Sequence, residues 1–305
     1  MKNIVNVYEA VEGNKIKSFL VMAFFVVFIT GIIWVLQWYF GLGLWMVGFA
    51  LIITGLMSMG SYWFSDKIVL SMSGARLADR KRDFHFYTVV ENLSMAARLP
   101  KPKLYVIEDS SPNAFATGRD PQHAVVCVTR GLLEKLDRTE LEGVISHELS
   151  HIGNYDTRLM SIVAILAGVV VILTDFGMRA MWFGGRDNDN RDRGGNGLVA
   201  VFAIVLVILA PIISQLIQLA ISRRREFLAD ASGVKLTRFP DGLARALEKI
   251  ASDPHPLSGA NNATAHLFIE NPFKADTKRK SNWFVNLFNT HPPVEERIKV
   301  LRAMV

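Results

Sequence analysis

From Ser18 to Ser65 the chain carries no charged side chain, a run of 48 residues in a protein of 305. A hydrocarbon core of about 30 Å is crossed by about 20 helical residues, so this run is too long for one crossing and right for two. Its middle, Gln37 to Gly43, is rich in aromatics and Gly, which predicts a tight hairpin in the headgroup layer. A signal peptide is the alternative reading. The run exceeds any signal core, and no small-residue cleavage site follows it.

Two more apolar runs come later. Leu159 to Thr174 is uncharged and extends past Asp175 and Arg179 to about Phe183, a marginal span with a charge pair on one helical face. Gly194 to Ser222 is uncharged throughout and predicts a full span. The expected organisation is therefore a transmembrane hairpin over 18–65, a mixed segment over 66–158, a second hairpin over 159–222 and a mixed tail over 223–305.

The formal charge of +6 gathers at the ends of the apolar runs: Lys15 and Lys17, Lys67 and Arg76, Arg80-Lys81-Arg82, and Arg223-Arg224-Arg225. Such clusters mark the cytoplasmic side and indicate a lipid bilayer, not a nucleic acid, as the partner. Four Arg between Arg179 and Arg193 argue weakly the other way. A single Cys127 excludes an intrachain disulfide.

The mixed segments read as mostly α with a small β-sheet. Phe84 to Arg98 has helical spacing. Leu104–Ile107, Asn113–Thr117 and Ala124–Thr129 read as strands, the last two joined by turn chemistry at Gly118–Gln122. Thr139, with Glu142 three residues on, reads as the cap of the next helix. Further helices are expected at Gly131–Asp137, from Phe239 to Ile250 and over Val294–Ala303, with a loop from Ser252 to Asn282.

The helix expected after Thr139 carries His147-Glu148-Leu149-Ser150-His151. Residues four apart share a helical face, so both imidazoles can reach one zinc ion. Glu148 can take the proton of a water that such an ion acidifies. The apolar flanks Val144, Ile145 and Ile152 imply burial, and a buried His pair needs partners.

A catalytic zinc needs a third protein ligand and an open position. An arrangement with Gly at 154 and His at 157 is excluded, because the residues there are Asn154 and Thr157. An acid on a second helix is the alternative, and Glu226 with Asp230 one turn on supplies it. Glu226 can ligate while Asp230 accepts from a ligand His. The His helix runs into the third apolar segment, and the fourth ends just before Glu226. The metal would then sit just outside the bilayer.

Asn113 to Gly118, Thr129 to Leu133, His147 to His151, Glu226 to Asp230 and Thr290 to Pro293 with Glu296-Arg297-Ile298 occur in this order. This set resembles the zinc peptidase family that includes the bacterial heat-shock membrane protease HtpX and the CAAX prenyl protease, and the likeness covers nearly the whole chain.

The resemblance implies a four-helix transmembrane region with a zincin-like catalytic domain facing the cytoplasm of a bacterium, in its inner membrane. It implies one Zn2+ per chain on His147, His151 and Glu226, with Glu148 as general base and Asp230 behind the ligands. His291 and Arg297 would line the site, His291 as a candidate oxyanion stabiliser. Asn113, Ala114, Phe115, Ala116 and Thr117 would pair with extended polypeptide substrate. Misfolded or damaged membrane proteins are the implied substrates. Two other functions are weighed: an intramembrane-cleaving metalloprotease using Asp241, and a zinc-stabilised scaffold without catalysis.

Overall fold

In a computed structural model, residues 7–40, 43–166, 168, 223–258, 264–273 and 292–304 are described. The third and fourth apolar runs, the Asp175–Arg179 pair and His291 fall largely or wholly outside them.

Helices α1 (Val7–Phe40) and α2 (Trp45–Trp63) form the expected hairpin, and two stretches, Val11–Gly31 and Trp45–Trp63, are long and apolar enough to cross a membrane. The turn is shorter than expected, because α1 stays helical through Gln37 and Phe40. No Gly or Pro interrupts it there, and a helix in lipid satisfies its own backbone. Polarity is inverted relative to a soluble helix pair. Phe19, Val27, Trp38, Ile52 and Met59 are exposed, whereas the buried residues of α2 are Thr54, Ser58 and Ser61. Lipid offers no hydrophobic drive between helices, so small polar residues line the contact and let backbones approach.

After α3 (Ser65–Met72) comes a four-stranded sheet of β1 (Arg76–Leu77), β2 (Lys103–Ile107), β3 (Ala114–Thr117) and β4 (Val125–Thr129), in the order β1-β2-β4-β3. The central pair is parallel and both outer pairings are antiparallel. Each of the five residues of β4 is buried, because the sheet is covered on both sides. One face, with Leu104, Val106, Val126 and Val128, packs on α4 (Phe84–Ala97), α6 (Arg138–Gly153) and α9 (Pro240–Ser252). The other, with Ile107, Phe115, Val125 and Cys127, packs on Val21 and Phe25 of α1 and on Leu159, Ile162 and Val163 of α7 (residues 156–166). The sheet is thus wedged between a helical core on one side and α1 and α7 on the other.

The short helix α5 (Arg130–Lys135) precedes α6, whose cap differs from the expectation. Asp137 is the N-cap and forms a reciprocal capping box with Glu140, while the Thr139 hydroxyl donates to Asp137 at 2.6 Å. A carboxylate at the positive end of a helix is the stronger acceptor. Within the stretch expected to be a loop, the described residues include one short turn. Residues 264–270 turn through Ala265–Leu267 and bury Phe268 edge-on against Phe115, with ring centroids 5.0 Å apart.

Candidate active site

Three helices converge on one buried point: α6, α8 (Arg223–Thr237) and α10 (Val294–Arg302). One glycine permits the closest approach: a Cβ at Gly233 would meet Ser146 Oγ at 2.9 Å and His147 N at 3.1 Å. Gly233 therefore lets α8 lie against the turn of α6 that bears the first His.

His147 and His151 face each other with Nε2 atoms 3.2 Å apart, and Glu226 of α8 brings its two oxygens to 3.7 Å from one and 3.5 Å from the other. All three are buried, and one donor atom from each lies within 4.8 Å of the others. Bonds of about 2.0–2.1 Å at tetrahedral angles place ligand atoms about 3.3 Å apart, so this spacing fits one divalent ion.

The outer nitrogens are each held by a carboxylate. His147 Nδ1 lies 2.9 Å from Asp230 and His151 Nδ1 lies 3.0 Å from Asp156. Donation from Nδ1 fixes the tautomer and turns the Nε2 lone pair toward the shared centre. Burial disfavours a charge on His151, but the hydrogen bond to Asp156 and the charges of Glu226 and Glu148 outweigh it and raise its pKa to about 9.

Arg297 of α10 is wholly buried. It grips Asp230 with two bonds of 2.7 and 3.0 Å, and it lies 3.6 Å from Glu226 and 3.4 Å from His147. Burial alone would discharge it, but Asp230 and Glu226 hold it charged. Burial likewise opposes ionisation of Asp230, yet Arg297 and His147 keep its pKa at about 2. Arg297 therefore braces a brace, with no surface of its own to offer a substrate. Burial raises the pKa of Glu148 despite the nearby imidazoles, the direction that suits a proton acceptor handing its proton on.

Asn113 to Thr117 are all buried, and β3 is an edge of the sheet. The edge is partly covered. Ile269 N donates to Ala114 O at 2.9 Å, and the Asn113 side chain bonds Glu270 O at 2.9 Å. Register leaves the backbone of Ala116 turned away from β4.

Asp156 was not anticipated. It reads as one polar flank among several, and only its burial and its contact with His151 single it out. Of the other histidines, His123 and His255 pair with the local carboxylates of Asp120 and Asp253. His266 is buried against Met160 O, and His85 takes no part in the cluster.

A profile of Peptidase family M48 matches residues 80–305, all of the chain outside the first hairpin and its immediate sequel. The chain belongs to peptidase family M48. Its M48 relatives include a protein named "Protease HtpX homolog" from Thermoanaerobacter pseudethanolicus, 44% identical over 97% of both chains. Another of that name, from Pyrococcus furiosus, is 46% identical over 96% of both. Among solved structures, S. mikatae Ste24p aligns with 95% of this chain and 66% of its own, at 15% identity and a TM-score of 0.46. As an M48 member with two apolar helices, the chain is a membrane-associated protease.

Proposed function

We propose that this protein is a zinc-dependent endopeptidase of the bacterial inner membrane, multi-pass, with its catalytic domain in the cytoplasm and membrane proteins in need of removal as substrates. The observation that carries the zinc assignment is the spacing of the His147, His151 and Glu226 donor atoms at 3.2, 3.5 and 3.7 Å. Two imidazoles and one carboxylate, each imidazole backed by an acid, are the donor set of a hydrolytic zinc.

His147, His151 and Glu226 would hold the zinc, which would supply Lewis acidity to a scissile carbonyl and acidify a water. Glu148 is placed to take up a water proton and pass it to the leaving amine. An extended substrate adds backbone bonds along the β3 edge, where the Ala116 backbone faces away from β4. His291 is assigned to the oxyanion. Arg297, expected to line the site, is assigned instead to holding Asp230 and, through it, His147. Asp241, the ligand an intramembrane-cleaving enzyme would need, forms an ion pair with Arg245 at 3.3 Å on the surface and is outside the cluster.

Metal content and casein cleavage in detergent test the reading. Wild type is expected to hold one zinc per chain, Glu226→Ala none, and Glu148→Gln one zinc without cleavage. Cleavage by Glu148→Gln at the wild-type rate would remove Glu148 as the base. Full zinc in Glu226→Ala would remove the third ligand.

A further inference from the structure

We propose that Asn14, on the first membrane helix, is a positioning residue for the metal ligand His151, acting through Asp156. The inference deepens the zinc reading and rests on it.

Asn14 lies near the N-terminal end of α1 and is only 2% exposed. Its amide is fully used. Nδ2 donates to Asp156 Oδ1 at 2.7 Å and to Asn154 O at 3.0 Å, while Oδ1 accepts from Arg225 at 2.9 Å. Only this orientation works, because a flipped amide would aim its oxygen at a carbonyl and a carboxylate. Asp156 then presents its other oxygen, Oδ2, to His151 at 3.0 Å. One carboxylate is thus clamped between a membrane helix and a ligand imidazole. Arg225, next to Glu226 in sequence, reaches Asp156 as well, at 3.5 Å.

The backbone makes the clamp possible. Tyr155 has φ 59°, a left-handed conformation uncommon for a bulky residue, and it turns the chain from α6 into α7 so that Asp156 returns to His151. Lys15 stacks its ammonium 4.5 Å from the centre of the Tyr155 ring. Asn14 and Lys15 together dock α1 on this corner. A buried polar network is rigid only when every member is satisfied, so withdrawing the Asn14 amide frees Asp156 to rotate away from His151. The grip on the metal therefore depends on where the first membrane helix sits.

The test uses the full-length chain in nanodiscs. Zinc affinity is measured by competition with a chromophoric chelator, and ligand geometry from the visible absorption of the cobalt(II) form. Asn14→Asp keeps the size and the acceptor for Arg225 but removes both donors; Asn14→Ala removes the amide altogether. Each is expected to weaken zinc by about tenfold, the low end for groups one step behind a ligand, and to shift the cobalt bands. Combined with Asp156→Ala, neither should add to the loss from Asp156→Ala alone. Ser18→Ala is the packing control, since that buried hydroxyl bonds, among the described residues, only the Asn14 carbonyl, at 2.8 Å, and it should leave affinity unchanged.

Wild-type affinity in the Asn14 variants, additive losses, or an equal loss in Ser18→Ala would overturn the proposal. Failure of both Asn14 variants to fold without metal would overturn it too, by making Asn14 a requirement of the fold. A wild type that binds no stoichiometric zinc refutes the zinc reading itself. A wild type that binds one zinc as tightly as Asn14→Asp refutes only the role of Asn14.

Discussion

Replacing Asp230 by Asn changes one atom and removes one buried charge. Asp230 is 1% exposed and Arg297 0%, so the pair has almost no solvent to fall back on. Removing one partner of a buried ion pair costs about 3–5 kcal/mol, because the other charge is stranded. Here Glu226 stays 3.6 Å from Arg297 and shields part of that charge, which puts the cost at the low end, about 3 kcal/mol. The same substitution loosens the 2.9 Å contact that orients His147, for a further loss of about 10–100-fold in zinc affinity. Reversible denaturation of metal-free protein in mixed micelles reads the first effect, and chelator competition reads the second. Adding Arg297→Met should restore most of the stability, since no charge is then left alone, but should not restore zinc binding. A metal-free Asp230→Asn within about 0.5 kcal/mol of wild type, the range of an inconsequential surface change, would refute the argument. A double variant as unstable as the single one would do so equally.

Zinc binding should strengthen with pH. The folded pKa of His151, about 9, lies above its ordinary 6.5. Its proton therefore stabilises the metal-free protein fully below pH 6.5, and that stability is lost as pH rises through 9. Zinc must displace the same proton, so apparent affinity should climb about tenfold per pH unit from pH 7 and level off near 9; a flat profile between pH 7 and 9 would contradict it. Gly233→Ala should separate fold from site. It gains up to about 1 kcal/mol of helix propensity, but its Cβ, 3.1 Å from His147 N, pushes α8 outward by a few tenths of an ångström. Thermal stability should change little while zinc affinity falls, measured side by side; unchanged affinity would show that the close approach is not needed.

The site was more legible than its support. His147 and His151 share a local spacing that puts them on one helical face, and Glu226 with Asp230 repeats that spacing on a second helix. Asp156 and Asn14 leave no such trace. Asp156 acts through a left-handed turn at Tyr155, and Asn14 acts across 142 residues of sequence, so neither contact follows from periodicity. Arg297 was located by resemblance, but its burial, and so its role as a brace, required coordinates. The cap at Asp137 was missed because Thr139 offered an equally good cap pattern, and only backbone geometry decides between two adjacent acceptors.

By itself the sequence determined that two helices are long and apolar enough to cross a membrane, because the 48 uncharged residues suit two spans of about 20. It also determined that one helix carries a metal-binding face, because helical pitch sets which side chains are neighbours. Tertiary structure alone decided what holds those imidazoles still. Burial turns each nearby carboxylate into an anchor, since a charge without solvent must find a partner, and which partner it finds depends on helices brought together from opposite ends of the chain.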